Sequence, residues 1–171
     1  RDRFHLFTHA FFKALLFLGA GYVIHSFQNE QDIKNMGGVW RKLPFTYLMM
    51  IIGTLALTGF PFLSGFYSKD AIIEFAYLEK GSLSNYAAAI GVITAIFTSI
   101  YSWRLIFLTF HGSFNNNKLN IKDLHESPLV MLIPLFLLSV GALFSGVFFK
   151  EIFIGAESSQ LFWKDSIMFL E

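Results

Sequence analysis

The 171-residue chain is 54% apolar, holds 22 Phe and carries only 15% charged residues, for a net charge of +1. That is the composition of a membrane protein, and it offers neither a basic surface for nucleic acid nor a bias toward an acidic substrate. The absence of cysteine excludes disulfides, thiolate metal sites and iron–sulfur ligation on this chain, and no HExxH or comparable cluster marks a zinc site.

The first stretch, Phe4 to Ser26 (FHLFTHAFFKALLFLGAGYVIHS), is predicted to be a membrane helix. At ~1.5 Å per residue it spans roughly 34 Å, against a hydrocarbon core of about 30 Å. It contains His5, His9, Lys13 and His25 but no Asp or Glu, so a carboxylate for Lys13 has to come from another helix. His5, His9 and Lys13 recur every fourth residue and share one face about 6 Å apart, with Thr8 beside them. A charge at the bilayer centre costs on the order of 3 kcal/mol, and such residues normally face an interior and mark ion or proton paths. Snorkelling fits poorly, because a lysine stem reaches roughly 6 Å and Lys13 lies about 13 Å inside the nearer end. Histidine titrates near neutrality, so the combination suits a proton relay. For His5 and His9 taken singly, a hydrogen-bonded interhelical role is the alternative reading.

Residues 28–43 mix charges of both signs around Gly37 and Gly38 and read as an interfacial loop. Residues 44–80 form one apolar element interrupted at Pro61. As a straight helix it would measure about 55 Å, so it must break, with Gly59, Pro61 and Gly65 giving two pieces joined by irregular backbone. Such backbone survives at membrane depth only where protein or a water-filled cavity covers it. Lys69 follows the break, next to Asp70, and Asp70 and Glu74 share a face. These three either line a path or mark the headgroup level. Residues 81–85 read as a turn, 86–110 as a span with a Thr94, Thr98, Ser102 stripe suited to helix contacts, and Arg104 as a snorkelling cation. Residues 111–127 read as a polar loop and 128–149 as a span without charge, closed by Lys150 and Glu151. Residues 150–171 begin a further, truncated element. The count is four crossings, or five if 44–80 crosses twice, and basic residues are spread too evenly for the positive-inside rule to orient the chain. The fold class is therefore all-α: a polytopic transmembrane helix bundle with one Pro/Gly-broken membrane helix, in a single domain. A start at Arg1 without Met and an end inside an apolar stretch suggest a piece of a longer protein.

The blocks THAFFKALLFLGAGYVIHSFQNEQDIKNMGG (8–38), GTLALTGFPFLSGFYSKDAIIE (53–74), TSIYSWRLIFLTFHG (98–112) and HESPLVMLIPLFLLSVGALFSG (125–146) resemble the antiporter-like subunit 5/L family of respiratory NADH:quinone oxidoreductase over nearly the whole chain. The resemblance implies an antiporter-like half of a proton-translocating membrane subunit, driven by redox chemistry elsewhere in the complex. It matches His5, His9 and Lys13 to the family's His, His, Lys motif, and Lys69 to the lysine beside its second broken helix; Thr8, Asp70 and Glu74 are supporting candidates from their positions in the sequence. The glutamate and lysine of the family's first half-channel and its long lateral helix have no counterpart here. FMN, iron–sulfur clusters and quinone are implied on partner subunits, with no cofactor on this chain. The partners implied are other membrane-arm subunits and the lipid of a mitochondrial inner or bacterial cell membrane. A Mrp-type Na+/H+ antiporter or a membrane-bound hydrogenase subunit shares the fold and the buried lysine. A structural scaffold without transport is a reading of another class, and one that gains nothing from the insertion cost of Lys13.

Overall fold

In the computed structural model, residues 2–69, 82–116, 119–126 and 128–154 are described, and those residues form helices and loops with no strand. Helix α1 is Asp2–Ser26, α2 is Pro44–Thr58, α3 comprises the helical residues 64–69, α4 is Ser82–Phe110 and α5 is Leu129–Ile154. Within α1, α4 and α5, the segments Phe4–Ser26, Ser84–Phe110 and Leu129–Lys150 are long and apolar enough to cross a membrane. Helix α2 has 15 residues, roughly 22 Å, which is too short to cross alone.

Two boundaries differ from the sequence reading. Helix α4 starts at Ser82, so most of the expected turn at 81–85 is its first helical turn, where Ser and Asn are well tolerated. Helix α5 continues through Lys150 and Glu151 to Ile154, because headgroup-level charges end a membrane span without ending a helix. Pro134 sits inside α5, near its start, where the carbonyl it leaves without a helical donor belongs to the exposed Val130. Asp70, Glu74 and the expected element beyond residue 154 lie outside the described residues.

Helix α1 packs on α2 and α5, α2 packs on α5, and α4 packs on α2. The α1–α5 seam is aromatic. Phe7 meets Phe149 edge-on at 5.1 Å and Phe153 in a stack at 5.6 Å, and Phe4 lies 5.5 Å from Phe153. The helices come this close because a side chain at Gly141 would enter the Phe11 ring, the small-residue contact that membrane helices rely on. One buried cluster joins α1, α2 and α5 through Phe12, Leu15, Met49, Ala56, Leu135 and Ala142. A second closes the loop end of the molecule with Val23, Phe27, Val39, Leu43, Ile106 and Phe110.

The loop after α1 also supplies backbone bonds. Gly38 N–H donates to His111 O and Trp40 N–H to Phe110 O, both at 3.2 Å, which pairs carbonyls at the α4 C-terminus. Gly37 is required here. Its φ is +127° and a Cβ would collide with the Ser113 carbonyl. Trp40 stacks on His111 at 6.4 Å, and His111 Nε2 is 2.9 Å from the Tyr47 hydroxyl.

The start of α2 shows a cap from far away in sequence. Pro44 occupies the first turn and Leu43 offers no side-chain acceptor. The Glu126 carboxylate instead accepts from Phe45 N–H at 2.9 Å, Thr46 N–H at 3.3 Å and the Thr46 hydroxyl. Glu126 thus takes the N-cap role across 80 residues. Glu126→Ala is expected to lower the stability of the full-length subunit in detergent by about 1–2 kcal/mol, and Glu126→Gln by less, because an amide oxygen still accepts. Thermal unfolding of the three proteins checks this; equal midpoints would show that the cap contributes nothing.

Candidate functional site

The site is built on the interruption between α2 and α3. Gly59 adopts a left-handed conformation (φ 80°) and ends α2. Gly59 N–H donates to Ala56 O and Phe60 N–H to Leu55 O, the Schellman pattern of helix ends. Those two bonds leave Leu57 O without a backbone donor at that turn. Lys69 Nζ fills the position, donating to Leu57 O at 2.6 Å. Phe62, with φ 71°, carries the chain through a backbone region that bulky residues seldom adopt.

Contacts with α2, α5 and α1 hold α3 against the bundle. A Cβ on Gly65 would collide with the Ala56 carbonyl, and one on Gly146 of α5 with the backbone of Ser64. Ser64 Oγ donates to Ala142 O at 2.6 Å. A further contact reaches α1, where Ser68 Oγ lies 3.0 Å from His5 Nδ1. The break therefore brings α3 to the polar stripe of α1.

On α1 the His5 and His9 rings are 5.4 Å apart between centroids, one helical turn along the same face. His9 makes an edge contact with Phe12 at 5.1 Å. Lys13, one further turn along, is exposed within the described residues and, with His9, lines a cavity of about 340 Å³. Thr54 and Leu57 of α2 and Tyr101 and Ser102 of α4 line the same space. Among the described residues no carboxylate lines it. Beside Lys13 the backbones of α1 and α4 do not approach closely among the described residues, and the gap between them is floored by α2.

Thr8 is buried, and its hydroxyl donates to Phe4 O at 3.2 Å and His5 O at 3.1 Å. In α4, Thr98 and Ser102 donate to the carbonyls of Thr94 and Thr98, each at 2.7 Å. That stripe satisfies its own helix, and of its members Ser102 is the buried one. Arg104 is exposed. Among the described residues no group of three His, Asp or Glu is placed to hold a metal. Sequence reasoning missed Glu126 and Ser68. Glu126 gave no local signal, since its target is distant. Ser68 was visible as the hydroxyl directly before Lys69 in GFYSKD.

The described residues thus form a helical bundle with three helices of membrane-spanning length, in which a line of titratable side chains on α1 leads to the break between α2 and α3. The model of the NADH:quinone oxidoreductase/Mrp antiporter transmembrane family matches residues 3–98. The chain is 50% identical over 167 residues to NADH-ubiquinone oxidoreductase chain 5 of Marchantia polymorpha, covering 98% of this chain and 25% of that protein. It is 51% identical over 164 residues to chain 5 of Phytophthora infestans, covering 96% and 24%. It is also 49% identical over 170 residues to NADH-quinone oxidoreductase subunit L of Rhodobacter capsulatus, covering 93% and 24%. The chain belongs to the NADH:quinone oxidoreductase/Mrp antiporter family, and it spans about a quarter of the length of the curated relatives it matches.

Lys69→Met in the full-length subunit removes the donor to Leu57 O. Amides around the break, Gly59 and Phe60 first, are expected to exchange with deuterium about tenfold faster or more, as loss of a charged hydrogen bond implies. Unchanged exchange at these amides would show that Lys69 does not hold the break closed.

Proposed function

We propose that this chain is the part of a proton-translocating membrane subunit of an NADH:quinone oxidoreductase in which protons pass along Lys13, His9, His5 and Lys69. The observation that carries the reading is the continuity of the polar line. It leads from the cavity at Lys13, through two rings 5.4 Å apart, to the hydrogen bond that joins α1 to the helix bearing Lys69.

The physics is charge coupling. Two unit charges at the His5–His9 separation of 5.4 Å repel by about 3 kcal/mol at an effective dielectric of 20. A proton arriving at one ring therefore disfavours a proton on the other, and occupancy passes along the stripe one charge at a time. Thr8 supports the stripe by tying its hydroxyl to the backbone at His5, and Asp70 and Glu74, which follow Lys69 in the sequence, are the supporting acidic candidates. The driving energy comes from quinone reduction on partner subunits, which hold the FMN, the iron–sulfur clusters and the quinone. The setting is a mitochondrial inner or bacterial cell membrane, and no redox chemistry takes place on this chain. The relatives' names support this reading over the alternatives. The family description also covers Mrp antiporters, so transport of Na+ in exchange for protons is the second reading.

The test is Lys13→Met in the full-length subunit, assayed in sealed vesicles. Assembled enzyme is expected to move fewer protons per NADH oxidised than the unsubstituted enzyme. Normal proton movement by assembled Lys13→Met enzyme would remove Lys13 from the path and favour a scaffold. A transport defect that appears only with sodium present would favour the antiporter reading.

A further inference from the structure

We propose that Ser68 is a positioning residue for His5: its hydroxyl keeps the imidazole hydrogen-bonded at Nδ1 in each protonation state the ring passes through. This rests on the reading that the α1 stripe carries protons. Ser68 lies on α3, 63 residues away from His5 in sequence, with its Oγ 3.0 Å from Nδ1. The serine is 1% exposed, and the His5 ring it meets is half-buried.

A hydroxyl has one hydrogen to donate and lone pairs to accept with, and Ser68 has a second partner for that hydrogen. Its Oγ donates to Gly65 O, one turn back on its own helix, at 3.4 Å. When Nδ1 carries a proton, Nδ1–H donates to Ser68 Oγ and the hydroxyl hydrogen points to Gly65 O. When Nδ1 is bare, rotation about the Cβ–Oγ bond alone turns the hydroxyl to donate to Nδ1. Nδ1 keeps a partner in either case, while the ring and both helices stay in place. Losing a hydrogen bond at a partly buried polar atom is costly, and Ser68 supplies one on both sides of the protonation change. Thr8, the other hydroxyl beside His5, is turned to carbonyls of its own helix. A methyl group in place of the hydroxyl leaves Nδ1 without this bond in either state.

The test uses the full-length subunit in the assembled enzyme and reads protons moved per NADH oxidised, with Lys13→Met as the reference. Ser68→Ala is expected to lose proton movement to an extent comparable with Lys13→Met, and Ser68→Thr, which keeps the hydroxyl, to retain it. Normal movement in Ser68→Ala beside a defective Lys13→Met overturns the role of Ser68 and leaves the relay standing. Normal movement in Lys13→Met overturns the relay, and the Ser68 proposal with it. Equal losses in Ser68→Ala and Ser68→Thr overturn the proposal in favour of close packing at α3. Should Ser68→Ala fail to assemble, Ser68→Cys, close in volume and weak in hydrogen bonding, takes its place with the same expectations. Failure of both to assemble overturns the proposal in favour of a packing role.

Discussion

The carbonyl oxygens at the end of α2 set the terms for the rest of the molecule. In a bilayer interior an unpaired backbone group costs several kcal/mol, so a helix can stop there only if every freed carbonyl finds a donor. Gly59 and Phe60 satisfy Ala56 and Leu55, and Leu57 O falls to Lys69. That last bond requires α3 to turn back beside α2. The turn is possible only because Gly65 has no side chain to strike the Ala56 carbonyl, and because Gly146 leaves room on α5 for Ser64. Glycine, lysine and the helix break are parts of one arrangement.

The same arrangement gives the α1 stripe a destination. By folding back, α3 sets Ser68 against His5, and a row of polar groups that would end blindly among apolar helices is continued onto a second element. The other end of the row opens differently. There α4 stands off from α1, and the resulting cavity places Lys13 opposite the hydroxyls of Thr54, Tyr101 and Ser102.

Much of this was legible in the sequence. The α1 stripe followed from residue types four positions apart, and the break followed from a length that no bilayer accommodates together with Gly59, Pro61 and Gly65. Residues 82–85 were misread because a Gly-Ser-Leu-Ser-Asn run suits a helix start as well as a turn. The Glu126 cap was invisible, since nothing local tells a carboxylate in one loop that a helix beginning 80 residues earlier lacks an acceptor. The contact of Lys69 with Leu57 O was hidden for a related reason. A lysine between Ser68 and Asp70 suggests ion pairing or a headgroup position, and only the three-dimensional return of the chain shows a backbone oxygen waiting for it. The cavity at Lys13 depends on which helices fail to touch, and sequence periodicity carries no information about that.

Helix α2 has an electrical property that follows from its two ends. Aligned peptide units place a partial positive charge at a helix N-terminus and a partial negative charge at its C-terminus. In α2 the first is met by the Glu126 carboxylate and the second by the Lys69 ammonium, each supplied by a different part of the chain. The helix is thus a dipole met by an opposite charge at both poles. The cavity that α2 floors is lined by Leu57, whose carbonyl holds the Lys69 ammonium, so the group that closes one pole of α2 also stands near the space that Lys13 enters.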